Sequence, residues 1–522
     1  MLQALREKAP KARISKSSTM IAPTKGWYVY DNLANMPEGT AFLLENMFPA
    51  PDYVRLRGGC SAFATGMGAN SVSSILTYVA GSGERMFACA GGNIYDVTSG
   101  GAVGAPAVSG LSSDVWEAVN MTTTGGSFLF CLNGVDDGQL FDGATWANTA
   151  VTGVSENLCK APYVFKNRIY FIQKDTTDVW YLNVDSIGGA ATKLALGGVF
   201  QRGGTVEAIA SWSVQHSTTG YDDHIVFISS EGEAAIYSGS FPGGTDWGLV
   251  GLLRMGRPIG GARCVQKFGG DLGVLTDRGI VPMSKAIQLD EAALNAAAIT
   301  QPIDPEFRRV VNERQQLDGW QMCQHPTQQM FVLNIPTISG TAPIQFAANM
   351  ISGAWCRFTG WDAACFATFG SELYYGTKDG RVMLADSGGI DDAAAYTGTI
   401  FWSYSDLKAE TLRKAVTMAR PNVQASFVPA GKLTMRRDYD YVVPSAPLTS
   451  AAPPAVAVWD SATWDISTWP SVITTPYAKW RAVTGFGTMI APVYQVTVGT
   501  TADIDLRVTS IDLLYEVGEV LG

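Results

Sequence analysis

From about residue 70 to about residue 390 the chain repeats a pattern without repeating a sequence. Each unit has an apolar strand, a turn rich in Gly, Asp or Asn, a second strand and a further turn. The first reads "SSILTYVAGSGERMFACAGGNIYDVT" from Ser73 to Thr98, and the last ends in "CFATFGSELYYGTKDGRVMLADSG" at Gly388. In the last unit "ACFATF" and "LYYGT" are strands joined by "GSE", and "KDG" leads to "RVMLA". Lys378-Asp379-Gly380 offers the positive φ that a tight hairpin demands. "FKN" at Phe165, "FGGD" at Phe268 and "FGSE" at Phe369 hold the same place, between one strand and the next. Units recurring at roughly 40–50 residues are blade-sized. The span predicts an all-β fold, a β-propeller of about seven blades, with six or eight also compatible with its uneven spacing. Radial repetition lets each blade bury its faces on its neighbours and leaves only short edges.

The flanks divide the rest. Residues 1–20 form a basic arm, with Arg6, Lys8, Lys11, Arg13 and Lys16 against Glu7. It reads either as a tail or as an arm that docks on an acidic neighbouring subunit. An opening segment follows over 21–70, the propeller is expected over 71–395, and a C-terminal β module, a small sandwich or barrel, over 396–522. Helix-like stretches are brief, one being Leu289 to Ile299.

Composition narrows the function classes. Charged residues are 16% of the chain, below the usual ~25%, as suits a surface largely covered by neighbours. The net charge of −10 excludes general phosphate binding by the whole surface, which needs clustered Lys and Arg. An acidic wall would instead let DNA pass without gripping it. None of the eight cysteines falls in a CxxC pair, and their apolar neighbours read as a reduced core. Neither a signal peptide nor a membrane-spanning apolar stretch is expected.

No catalytic constellation is legible. His216, His224 and His325 form neither HxH nor HExxH and read as surface or turn residues. The Gly-rich stretches match no phosphate or dinucleotide motif, so no metal, cofactor or catalytic residue is expected. "DDGQLFDGATW" (Asp136 to Trp146) and "WDSATW" (Trp459 to Trp464) resemble the turn motif of sialidases, and two placed acids can suffice for glycoside hydrolysis. The plainer reading is an Asp-Gly turn followed by a strand anchored on Trp. Trp459, Trp464 and Trp469, at five-residue spacing, either pack the C-terminal module or meet a partner.

The stretch from Asp31 to Gly59, "DNLANMPEGTAFLLENMFPAPDYVRLRGG", resembles the opening of the tail nozzle proteins of short-tailed phages, also called tail tubular protein B. Asn35, Met36, Pro37, Gly39, Ala41, Leu44, Asn46, Pro49, Arg57 and Gly58 carry the likeness; Glu38 separates a Pro-Gly pair that is adjacent in the family. A second likeness, to late propeller strands of such proteins and of packaged-DNA stabilising proteins, rests on Gly353, Trp355, Phe366, Tyr375, Gly376 and Gly380. The resemblance implies a non-enzymatic virion protein of the tail, assembled in the host cytoplasm. It would be a homo-oligomer, a ring of six, below the tail adaptor. That ring would retain packaged DNA, conduct it during ejection and carry fibres or spikes. "VRLRGG" places Arg55 and Arg57 on one strand face, either for an internal salt bridge or for contact with the next subunit. A glycan-binding or glycan-cleaving propeller and a cellular scaffold propeller are the alternatives.

Overall fold

The computed structural model describes residues 15–30, 32–81, 83–216, 220–409, 411–451 and 475–518. They form two compact units. One comprises residues 58–353 and 358–387, and the other residues up to 57, 354–357 and from 388 onwards.

The first unit is a β-propeller of successive antiparallel sheets. Sheet 1 holds Val72–Ala80, Gly83–Ala90, Asn93–Asp96 and Val108–Ser109, and sheet 2 holds Glu117–Thr123, Gly126–Leu132, Gln139–Phe141 and Trp146–Asn148. Sheet 3 runs from Cys159–Phe165 to Thr192–Ala195, and sheet 4 from Val206–His216 to Gly248–Arg254. Sheet 5 is Val265–Phe268, Asp271–Thr276 and Gly279–Pro282, and sheet 6 begins with Gln321–His325, Met330–Ile335 and Ile344–Asn349. Sheet 7 joins Ala363–Phe369, Glu372–Thr377 and Val382–Ala385 to Cys60–Thr65, a strand from the other end of the unit. The first strands of the seven sheets neighbour one another in order, and that of sheet 7 returns to that of sheet 1.

The core lies between the sheets. Leu76, Phe87, Trp116, Leu129 and Phe141 fill the space between sheets 1 and 2. Phe165, Tyr170, Ile209, Phe227 and Tyr237 fill that between 3 and 4. Strand alternation produces this, because each sheet offers one set of side chains to each neighbour.

The turns are where the residues predict them. Phe165 pairs with Arg168, Phe268 with Asp271 and Phe369 with Glu372, each across a two-residue turn. Lys166 and Asn167 both have positive φ, 45° and 59°, the geometry that matches strand twist. Gly380 lies at φ +82°, and a Cβ there would sit 2.0 Å from the Gly68 carbonyl oxygen.

Acids in the loops fasten sheet to sheet. Asp114, just before sheet 2, accepts the Gly91 and Gly92 N–H groups of sheet 1 at 2.8 Å each. Asp136 accepts the Ser112 and Ser113 N–H groups at 2.9 and 3.1 Å.

The second unit contains two β-sheets. One centres on the long pair Lys414–Ala425 and Leu506–Val517, and the other runs Ala41–Glu45, Tyr396–Trp402, Ile490–Val498, Lys432–Arg437. Gly398 lets Met47 and Leu56 of the first sheet press on the second, since a Cβ would lie 2.4 Å from Leu56. The β module therefore draws strands from both ends of the chain rather than from 396–522 alone. Residues 21–70 likewise divide, with Ala41–Leu56 in this unit and Cys60–Thr65 closing the propeller.

Other expectations also change. Ser15–Ile21, which overlaps the end of the basic arm, is a strand on Leu506–Val517, while residues 1–14 lie outside the described residues. The 289–299 stretch breaks into single turns at Glu291–Ala293 and Leu294–Ala297. The longest helix among the described residues is Asp304–Arg314, with Phe307, Val310, Val311 and Arg314 on its buried face. His224 and His325 are buried, not at the surface, at 7% and 3% exposure. His224 packs beside Trp212, and the His216 side chain lies outside the described residues.

Candidate functional site: the bore of the propeller

Every first strand faces the axis of the ring, so its polar residues meet there. Most of these bond strand to strand. Asn120 Nδ2 donates to the Thr77 carbonyl at 2.8 Å, and Tyr163 OH lies 2.9 Å from Ser211 Oγ. Gln321 both donates to and accepts from the Phe366 backbone at 2.8 Å. Lys160 Nζ lies 2.8 Å from Glu207 Oε2.

Arg263 does something different. It stands on the short turn Gly261–Cys264 that leads into sheet 5. Its guanidinium reaches sheets 1 and 2, on the far side of the ring. Nη1 donates to the Ser73 carbonyl at 3.2 Å, and Nη2 to Ser74 Oγ at 2.6 Å and the Trp116 carbonyl at 3.4 Å. One side chain thus bridges the bore. A cavity of about 930 Å³ and another of about 230 Å³ both have Arg263 and Glu117 in their walls, so this pair stands between them.

Glu117 opens the first strand of sheet 2. Its Oε2 is closed off from solvent and has no hydrogen-bond partner. Burial pushes its carboxyl above the usual carboxylate range; Arg263, Lys160 and a hydrogen bond from the Ala161 backbone oppose that shift, and Glu207 adds to it. A carboxyl whose protonated form is favoured by burial beside a polar cavity is suited to donating a hydrogen bond or passing a proton. This was the feature that sequence reading missed. Glu117, Lys160 and Arg263 are far apart in the chain, and no local motif marks them.

Of the acids in the Asp136 to Trp146 segment, Asp136 ties the Ser112–Ser113 loop and Asp142 serves a turn, while Trp459 to Trp464 lie outside the described residues. Asp142 Oδ1 accepts the Ala144 and Thr145 N–H groups at 2.8 and 2.6 Å. The Thr145 bond first, then that from Ala144, lowers its carboxyl below the usual range. Trp146 lies in the edge strand of sheet 2 and packs on Phe87 and Phe141. The Asp-Gly-turn reading therefore holds for this segment.

Of the expected interface residues, Arg57 is fully buried in the second unit and has no surface to offer a neighbour. Its Nη1 and Nη2 hold Asp391 Oδ1 and Oδ2 at 2.8 and 2.6 Å, and Nε donates to Asn46 Oδ1 at 2.9 Å. The guanidinium lies 4.3 Å from the Tyr396 ring centre, and the Tyr396 hydroxyl donates to the Arg57 carbonyl. This is the internal salt bridge. Arg55 is half-buried over Phe48, across the strand pair from it. Trp459, Trp464 and Trp469 lie outside the described residues. All eight cysteines are buried and unpaired. No helix among the described residues is long and apolar enough to cross a membrane.

No protein-family profile matches the chain, and no curated protein matches it. Solved structures similar to it include BBS1N in complex with ARL6DN, 8% identical, covering 63% of this chain and 97% of that one at a TM-score of 0.40. Raptor of Chaetomium thermophilum is 11% identical over 63% of this chain and 29% of its own, at 0.38. The computationally designed Ika8 protein is 10% identical over 66% and 96%, at 0.36.

Proposed function

We propose that this protein is a non-enzymatic structural subunit of a short-tailed phage tail. It forms the nozzle ring, with six copies below the adaptor, that retains packaged DNA, conducts it during ejection and anchors fibres or spikes. Each subunit is a seven-bladed propeller joined to a β module. The resemblance over Asp31 to Gly59 supports the family. The observation that carries the structural role is the bridged bore. Its polar groups tie strand to strand and Arg263 crosses it, as suits a rigid wall element. DNA then runs along the axis of the ring of subunits, not through the bore of any one propeller. A net charge of −10 suits a passage that should not hold phosphates.

A second reading has one observation in its favour, the buried Glu117 carboxyl, whose Oε2 has no hydrogen-bond partner, beside a cavity of about 930 Å³. Under it the propeller binds or cleaves a glycan, with Glu117 as the acid.

Electron microscopy of the purified protein and of particles distinguishes the two. A six-fold ring on the tail axis supports the nozzle. A lone propeller at a fibre tip, with glycan-array binding lost in Glu117→Gln, supports the second reading and overturns the first.

A further inference from the structure

A groove of about 670 Å³ in the second unit lies along the strand Ser15–Ile21. This strand is at the edge of its sheet: it pairs with Leu506–Val517 on one side and with no other strand among the described residues. Its outer row of N–H and C=O groups is a template for a further extended segment. The groove beside it is lined by Met20, Met36, Met489 and Trp402, and Ile21 at its lip is 53% exposed. Thioether side chains adapt to varied apolar partners. Met36 and Gly39, two residues of the nozzle-like motif, also line it. That stretch of sequence therefore builds a surface as well as a turn.

The groove wall carries two acids, Glu38 and Asp406, and one cation, Lys408; just outside it, Lys25 Nζ donates to the Glu38 carbonyl at 2.9 Å. The segment directly ahead of the edge strand, residues 1–14, carries Arg6, Lys8, Lys11 and Arg13 against Glu7, with Leu2 and Leu5 between the charges and the N-terminal Met1. Extended, fourteen residues span roughly 45–50 Å, enough to leave one subunit and reach the next.

We propose that residues 1–14 of one copy dock in this groove of a neighbouring copy. There they add to the Ser15–Ile21 edge, placing Leu2 or Leu5 among the methionines and the basic residues against Glu38 and Asp406. The inference draws on the ring reading only for the presence of a neighbouring copy.

The test uses the full chain with p-benzoylphenylalanine replacing Leu5, with isotopically light and heavy copies mixed before irradiation. The expected product is a cross-link between a light and a heavy copy, at peptides containing Met36 or Met489. Cross-links confined to single copies, or none at either peptide, overturn the proposal. Charge exchange is the second arm. Reversing the four basic residues to Glu is expected to weaken self-association at least tenfold in sedimentation velocity, and adding Glu38→Lys to recover part of that loss. Association unmoved by the arm variant, with native circular dichroism, also overturns it. If a protein lacking residues 1–14 still builds the tail ring, arm docking falls and the nozzle reading stands. If the arm cross-links but no ring forms, the nozzle reading falls alone.

Discussion

Arg57 sits with 0% of its surface exposed, held by Asp391 on two oxygens and by Asn46. A buried ion pair is weak evidence for stability, yet removing one partner strands the other. Arg57→Met should therefore destabilise this unit by about 3–5 kcal/mol, and adding Asp391→Leu should recover a large part of that. Urea unfolding of the two variants measures both steps; a single variant as stable as the parent would show that Asp391 finds another partner. The cysteines make a pH prediction. Burial pushes the thiols of Cys159 and Cys323 from 9.0 to about 12, and that of Cys365 to about 11. A thiol raised by folding contributes its stability in full below the unfolded value. That stability is lost as pH rises from the unfolded towards the folded value. Unfolding free energy should be flat with respect to these groups up to pH 9 and then fall, by about 1.4 kcal/mol per pH unit for each such thiol. Denaturant titrations at pH 7, 9 and 10 read the slope, and Cys323→Ala should reduce it.

At the scale of elements, turns were the most legible feature and short helices the least. "FKN", "FGGD" and "FGSE" mark the same hairpin in sheets 3, 5 and 7, because a two-residue turn needs particular φ values that few residues supply. Gly380 shows the strength of that demand. Gly380→Ala forces a side chain into positive φ and against the Gly68 carbonyl. It should destabilise the propeller by at least about 2 kcal/mol, read as a lower midpoint in guanidinium. A midpoint unchanged by the substitution would mean that the turn rearranges freely. The helix Asp304–Arg314 was missed although its signal was present: Pro305 in the first turn, then Phe307, Val310, Val311 and Arg314 at helical spacing. The Ala-rich 289–299 stretch looked more helical by propensity, yet only Leu294 of its two short helical turns is buried. Packing outweighed propensity.

For the whole molecule, closure is the decisive event. Cys60–Thr65 pairs with Val382–Ala385 across more than three hundred residues of chain, so sheet 7 is incomplete until both ends of the propeller meet. Ala64 is fully buried and has strands on both sides. Ala64→Pro removes a ladder donor there and should lower stability by about 3 kcal/mol or more. Proteolysis near residues 60–66 would report the opened sheet, and resistance equal to the parent would show that closure does not depend on this strand. Arg263→Met removes the bridge across the bore. It should cost about 1–3 kcal/mol and raise the Glu117 carboxyl further, which a pH titration of stability with and without Glu117→Gln would detect.

The β-rich repeat, its turns and the buried thiols were legible in the residues because each depends on near neighbours: strand alternation, turn φ and apolar context all act within a few positions. Three features were decided only by the tertiary structure. The chain divides at Arg57 rather than near residue 70, because the next strand, Cys60–Thr65, finds its partner at the far end of the propeller. Arg57 became a core ion pair because Asp391 arrives from more than three hundred residues along the chain. Glu117, Lys160 and Arg263 meet only because seven first strands close around one axis. Such contacts depend on which distant surfaces bury each other, and no local pattern in the chain records that choice.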